Sequence, residues 1–422
     1  MMALARDPVG SHVRFAEKFG DPFTLPLPGM NMVVTGDPKT IRHVLTLPPD
    51  AFESLDLGTE VLGAYSLVRL NGDLHQAARK QVGPLVMHPL RDGAGLAIQK
   101  IAQATYEKHL DNRVRFSHLA RTMTIEVILR SVLGTTDQQQ VERFSTAFSR
   151  LLSKSSFLLH FSPALQWNLG TRSPWGRILN ARKTVQDIIA EAIADVETRH
   201  PDIPLAAVVD QASAATDPAL GLQALSHQIF TLLSAGHSST AEALTWAVHH
   251  VYARPELLAQ LRDEADKTGA NPEDVTRRPL LQAVCQEVLR LHPIGPMIGR
   301  KLSRELQIAE YTLPAGTVIG LSVSLQHRSG DLFDDPNAFR PARFLEQGST
   351  AQRNVIAFGG GIRHCLGANL GLTEMKLALD VLIRGFDINL AQTKPPRHVM
   401  LDAIAGAKGG IPVTIRHRAA GR

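Results

Sequence analysis

The sequence predicts a mainly α-helical fold with small β-sheets and one long buried helix through its middle. Three observations predict it. Apolar residues recur at helical spacing through most of the 422 residues, from about residue 71 onward. Residues 220–251 are apolar on nearly every side, with Leu222, Leu225, Ile229, Phe230, Leu244 and Trp246 among them, as in a helix buried all round. Strand-like runs are short and lie near the two ends.

In chain order, residues 24–36 read as a hairpin, two apolar runs around Pro28-Gly29. Asp37-Pro38 then opens a helix, with the acid as cap and proline at the first position. Residues 53–70 form an irregular, mostly apolar loop. Helical patterns follow at 73–86, 93–110, 117–133, 138–154 and 174–200. Residues 155–163, between the last two, are apolar where a surface loop is usually polar, so contact with a ligand or a membrane is expected there. In the central helix His227, Gln228, His237, Glu242 and His249 argue against lipid. Pro279 opens a helix that stops at Leu291, before His292-Pro293. Strand-like pieces at 297–302, 305–311 and 316–322 lead to a last helix, expected to start at Cys365 and run to about Arg384. No linker, repeat or low-complexity tract interrupts the chain. One domain is therefore expected over 1–422, with a β-rich part at about 20–70 and a helical core at about 71–422.

Composition narrows the function classes. A hydrophobic content of 44% suits a globular chain with a sizeable core. No apolar run near Met1 is long enough for a signal peptide or membrane anchor. Two cysteines far apart offer no disulfide framework, which suits a reducing, cytoplasmic setting. A formal charge of +5 without a clustered basic stripe points to a docking patch for an acidic partner, not to nucleic acid.

The most informative segment is Phe358-Gly359-Gly360-Gly361-Ile362-Arg363-His364-Cys365-Leu366-Gly367. A thiolate at a helix N-terminus faces unpaired N–H groups and the positive end of the dipole. The glycines permit positive φ and a close approach of backbone to a flat ligand. Both properties suit an axial sulfur ligand to haem iron. Taken alone, the segment leaves a second reading open, a tight loop before a helix with a buried, inert thiol.

Three further constellations bear on the choice. Glu287 and Arg290 stand three apart among Val284, Val288, Leu289 and Leu291, a pair placed for burial. Pro341-Ala342-Arg343-Phe344 offers Arg343 as a second cation for that acid. His75 and Arg79, four apart on a helix, project together and can grip one carboxylate, with Arg300 and Arg363 as further cations. Within the buried helix, Ala235-Gly236-His237-Ser238-Ser239-Thr240 places small and hydroxyl residues mid-span, where they are expected to break the packing and leave room for a ligand.

These motifs in this order make the chain resemble the cytochrome P450 family over essentially its whole length. The resemblance rests on Phe358 to Gly367, Glu287 with Arg290, Pro341 to Phe344, His75 with Arg79, and Ala235-Gly236. It implies the cytochrome P450 fold, with the long central helix over a haem b, and a soluble bacterial-type haem-thiolate monooxygenase. By resemblance, Cys365 is the metal ligand, Phe358 shields its sulfur, and Gly367 and Ala235 border the haem. His75, Arg79, Arg300 and Arg363 bind the propionates, and Glu287, Arg290 and Arg343 form a structural triad. Cys285 reads as core, and His364 has no assigned role. Substrate contacts by resemblance are Val61, Leu62, Phe157, Leu158, Leu233, Ile294, Met297 and Ile404, all apolar, which implies a fatty acid, terpenoid or polyketide type of substrate.

One departure stands out. The family's usual stretch is Ala/Gly-Gly-x-Asp/Glu-Thr, and here the acid position is Ser238 and the threonine position Ser239, followed by Thr240. Ser239, helped by Thr240, is the expected proton relay, with Glu242 a candidate for the missing acid. The resemblance further implies electrons from a separate ferredoxin or flavodoxin with its reductase, no membrane anchor, and a monomer. The missing acid keeps a peroxide-driven or isomerising haem-thiolate enzyme as an alternative. A non-catalytic haem sensor or carrier is a third.

Overall fold

The computed structural model describes residues 2–27, 30–55, 59–87, 93–135, 137–154, 159, 165–199, 203–401 and 403–419. Its centre is the helix Pro218–Tyr252, which runs unbroken for 35 residues. Asp217 caps it by accepting from the Leu220 N–H at 3.1 Å, and Pro218 takes the first position, where a missing N–H costs nothing. Helix Phe116–Leu133 lies against it, and Gly236 explains how closely. A Cβ on Gly236 would come within 2.9 Å of Ile128 Cδ1. Thr124 Oγ1 also donates to the His237 carbonyl at 2.9 Å, tying the two helices side to side. The small residues at 235–240 thus leave the helix itself continuous and let a neighbour approach on one side, while on the other Ala235, Gly236, Ser239 and Thr240 border open space, where room for a ligand was expected.

The sequence punctuation placed most elements. Asp37 accepts from the Thr40 N–H at 2.7 Å and opens Pro38–Leu45. The helices Gln138–Lys154 and Pro279–Leu291 have the expected bounds. The hairpin Phe23–Leu27 with Met30–Thr35 forms one edge of a five-stranded sheet. Val318–Ser322, Met297–Leu302 and Phe52–Glu53 follow in that spatial order. The expected strand at 305–311 is two, Leu306–Ile308 and Tyr311–Leu313, paired antiparallel across a turn where Ala309 takes φ 50°. Near the C-terminus Phe386–Leu390 and Arg113–Arg115 flank Pro412–His417, and His398–Leu401 pairs with Ile404–Ala407. The last helix is Ala368–Gly385, so it starts three residues after Cys365 and not at it. Gly367 is its N-cap, and Cys365 belongs to the loop.

Behind that loop lies the buried triad. Glu287 Oε2 accepts from Arg290 Nε at 2.7 Å and Oε1 from Arg343 Nε at 3.1 Å, with all three side chains essentially inaccessible. The Arg340 N–H adds a donor at 2.8 Å. Arg290 spends its remaining donors on the carbonyls of His327, Pro336 and Ala338. Every buried charge is therefore bonded, the condition under which such a cluster is tolerated.

Candidate functional site

A cavity of about 720 Å³ separates the central helix from the cysteine loop. The loop's shape follows from two glycines. Gly359 and Gly361 take φ of 69° and 62°, in the left-handed region open to glycine. Gly360 (φ −168°) and Gly367 (φ −89°) do not, so only two of the four glycines serve the turn in the expected way. Gly367 serves by its size instead: it lines the cavity, and a Cβ there would meet nothing within 4 Å. The Cys365 N–H donates to the Phe358 carbonyl at 2.9 Å, which closes the loop, and both residues line the cavity.

Cys365 is exposed, and what it is exposed to is the cavity. The protein crowds the sulfur closely enough that burial pushes its thiol up, while the Gly367 N–H and the nearby Arg79 pull it down. A coordinated metal deprotonates such a thiol outright. Cys285 is wholly buried in the core, its thiol pushed up to about 12 by burial, as expected of an inert cysteine.

His75, Arg79, Arg300 and Arg363 all line one side of this cavity. Burial, then the positive charges of Arg363, Arg79 and Arg300, drive His75 down to about 4, so the imidazole is neutral. Burial and the neighbouring Arg363 bring Arg300 to about 10; burial and Arg79 do the same to Arg363. Among the described residues no carboxylate lies within salt-bridge distance of any of the four. Arg363 is steered by the carbonyls of Leu67 and Leu70 and by Asn71 Oδ1, and Arg300 lies over the Phe52 ring at 5.1 Å. Three guanidinium groups crowded together without an acid form a cradle for an anionic ligand.

These observations fit a haem. The sulfur on one wall would ligate its iron, and the cations, without an acid of their own among the described residues, would supply partners for its propionates. Among the described residues no three His, Cys, Asp or Glu gather to cage a bare ion, so a metal ligated by Cys365 needs a macrocycle for its other ligands.

Across the cavity, Ala235, Gly236, Ser239 and Thr240 present the central helix. Ile294, Met297 and Ile404 lie on the wall as expected. Three other expected contacts do not line it. Leu233 is fully buried in the core, because Leu232, Ala235 and Ser239 carry the helix face that turns to the cavity. Val61 and Leu62, in the short turn Thr59–Leu62, pack into the same core. Phe157 and Leu158 lie outside the described residues. Leu4 and His12, on the short helices Met2–Arg6 and Gly10–Phe19, Pro8 between them, and Met400 were not anticipated, yet they line the cavity as well. They arrive through tertiary folding, and no local pattern marks them.

Glu242 is corrected as well. It is completely buried, ion-paired to Arg121 at 2.9 Å and bonded to the Ala407 N–H at 3.2 Å, on the side of the helix away from the cavity. Ser239 lines the cavity but donates its hydroxyl to the Ala235 carbonyl at 2.6 Å. Thr240 Oγ1 makes no such bond among the described residues and also faces the cavity.

The comparisons with known proteins point to one family and one fold. The family profile described as "Cytochrome P450" matches residues 2–409. A relative from Mycobacterium tuberculosis described as "Putative cytochrome P450 135B1" is 30% identical over 413 residues, covering 93% of this chain and 84% of its own. Another from that organism, "Putative cytochrome P450 135A1", is 29% identical over 388 residues, covering 89% of this chain and 83% of its own. Among solved structures, "Retinoic acid bound cyanobacterial CYP120A1" superposes with a TM-score of 0.82 at 26% identity, over 96% of this chain and 94% of that one. The structure described as "Crystal structure of cytochrome P450DA heme domain" matches at TM-score 0.83 and 18% identity, over 98% of this chain and 94% of that one, a likeness of fold.

Proposed function

The chain belongs to the cytochrome P450 family of haem-thiolate monooxygenases, and we propose that its substrate is an elongated hydrophobic molecule of fatty acid, terpenoid or polyketide type. The observation that carries this reading is the cavity itself. It runs from Cys365 to the N-terminal helices, and away from the cation cluster its wall is mostly apolar: Leu4, Leu27, Leu55, Met297, Met400 and Ile404. The retinoic acid in the cyanobacterial relative is a molecule of that kind. Among the described residues no helix is long and apolar enough to cross a membrane.

Haem b, when bound, supplies the reductive activation of dioxygen. The residues divide the remaining tasks. Cys365 would hold the iron through its sulfur, and His75, Arg79, Arg300 and Arg363 would bind the propionates. Gly367 and Ala235, which line the cavity, would leave room for the group. Ile294, Met297 and Ile404 hold the apolar substrate and exclude water beside the reacting centre. Thr240, with the free hydroxyl, carries protons in preference to Ser239. We assign the electrons to a separate ferredoxin or flavodoxin, a reading supported by the mildly basic charge of +5.

A binding screen across fatty acids, terpenes and macrolides, read by the shift of the haem absorption band, tests the substrate class. Binding confined to polar compounds would refute it. Turnover of a hit with ferredoxin and reductase, and separately with peroxide, tests the electron source: product with peroxide alone would replace the carrier by peroxide.

A further inference from the structure

His12 is a buried polar side chain on the cavity wall that nothing above uses. It stands on Gly10–Phe19 and is 1% exposed. Asp7 fixes the corner before that helix by accepting from the Gly10 N–H at 2.9 Å and from Arg14 Nη1 at 2.7 Å. The Ser11 hydroxyl donates to the Ala3 carbonyl at 2.9 Å, so the helix in front is tied to the same corner.

One ring nitrogen of His12 has a partner and the other has none. Nδ1 lies 2.8 Å from Ser322 Oγ. That oxygen already accepts from the Leu325 N–H at 3.2 Å, and Ser322 is wholly buried. Among the described residues the one acceptor for the Ser322 hydroxyl proton is His12 Nδ1. A buried hydroxyl without an acceptor is costly, so Ser322 donates and Nδ1 accepts. In a neutral imidazole the ring proton is then on Nε2. Burial brings the ring to about 4, so it is neutral at neutral pH. Nε2 has no hydrogen-bond partner among the described residues, and a buried N–H donor needs one.

The surroundings define the chemistry of that partner. Ser322 pairs with Met297 across the sheet, so both side chains leave it on one face. A Cβ on Gly320, two residues back on that face, would come within 2.6 Å of the Met297 sulfur and 2.7 Å of the Met32 sulfur. Met32, Met297, Leu4 and Leu27 line the cavity, and they offer the donor no oxygen. The charge acting on the ring is the Asp7 carboxylate, which Arg14 already pairs. The arginines of the wall, Arg79, Arg300 and Arg363, belong to the cation cradle. A ligand carboxylate at His12 would therefore face Asp7 without a cation of its own. A neutral oxygen accepts the bond without that penalty.

We propose that His12 Nε2 is a binding subsite for a neutral oxygen, a ketone, ester or hydroxyl group, on the elongated apolar substrate, and that it disfavours a free carboxylate. This rests on the apolar-substrate reading above and narrows it from fatty acids to oxygenated terpenoid or polyketide molecules. Holding one oxygen there sets the register of the molecule along the cavity, and so the carbon presented for oxidation.

Three probes separate the contributions: methyl dodecanoate, dodecanoic acid and dodecane, each titrated into the holoenzyme at neutral pH and followed by the haem absorption shift. The wild type is expected to bind the ester more tightly than the acid. His12→Phe removes both ring nitrogens, whereas His12→Asn keeps a partner for Ser322 and removes only the donor at the Nε2 position. In both, ester affinity relative to dodecane is expected to fall at least about fivefold, the loss of one buried hydrogen bond. His12→Gln, which returns an N–H donor to that position, is expected to recover part of it. The proposal is overturned if that ratio is unchanged in His12→Phe and His12→Asn, if His12→Gln binds the ester no better than His12→Asn, or if the wild type prefers the acid. Failure of all three probes to shift the wild-type spectrum would overturn the elongated apolar reading itself, and the subsite with it.

Discussion

Gly361 and the Leu45 carbonyl approach so closely that a Cβ on Gly361 would stand 1.9 Å from that oxygen. The glycine also holds φ 62°, so an alanine there meets both a strained backbone and a backbone oxygen that cannot turn aside. Gly361→Ala is expected to destabilise the protein by about 2 kcal/mol or more and to lower the fraction purified with haem. Gly367→Ala is the contrasting case. Its φ of −89° suits any residue and its Cβ would meet no protein atom, so the apoprotein should unfold at an unchanged urea concentration while haem binding weakens. Equal loss of apoprotein stability in both variants would refute the placement of Gly367 beside the haem.

The cation cluster makes a prediction of opposite sign for the two forms of the protein. Arg300→Leu removes one of three crowded guanidinium groups, relieving like-charge repulsion and the burial that brings Arg300 to about 10. The apoprotein should be no less stable. A charge-assisted bond to a carboxylate contributes about 1.5–3 kcal/mol, so haem should transfer to an acceptor globin with roughly tenfold to hundredfold weaker retention. Unchanged retention in both Arg300→Leu and Arg79→Leu would remove these residues from the propionate site.

The triad should behave as a structural unit. Glu287→Gln leaves Arg290 and Arg343 buried without their carboxylate, a loss of about 3–5 kcal/mol, readable as a lower melting temperature of the apoprotein. The exposed Arg143–Glu191 pair, at 2.6 Å with both side chains more than half exposed, is the control. Arg143→Ala should leave the melting temperature where it was, because solvent screens such pairs.

What was legible in the sequence follows from how local each signal is. Asp37 and Pro279 act within one helical turn, so their helices begin where the residues place them, whereas the central helix, read from its apolar pattern at 220–251, begins two residues earlier at Pro218. The directions of Leu233 and Glu242 were not legible, because a helix buried on every side has no polar face to distinguish cavity from core. The part of the cavity wall at Leu4, Pro8 and His12 depends on contacts across the fold. Glu374, buried on the cavity wall, did leave a trace: an acid between Leu370 and Leu377, where the helical pattern asks for an apolar side chain.

Acid stability gives the last prediction, and its sign is set by two opposing kinds of buried group. His327 accepts the Ile356 N–H on Nε2 at 2.9 Å and contacts the Arg290 carbonyl through Nδ1 at 3.0 Å, an arrangement only the neutral ring satisfies. Burial brings His327 and His237 to about 3 and His12 to about 4. The unfolded chain binds protons on them near 6.5, so below that pH it holds more protons than the fold. Their contribution is complete above about pH 6.5 and is lost as pH falls toward 4, at most about 1.4 kcal/mol per pH unit for each. Glu374 runs the other way: its carboxyl is raised in the fold, so its contribution is complete below the unfolded carboxylate range and lost as pH rises. The histidines are the more numerous, so the melting temperature of the apoprotein should fall from pH 6.5 to pH 5. In Glu374→Gln the opposing contribution is gone, so that fall should be steeper than in the wild type, with the gap opening at neutral pH in the variant's favour. A slope unchanged by the substitution would mean that Glu374 is ionised in the folded protein.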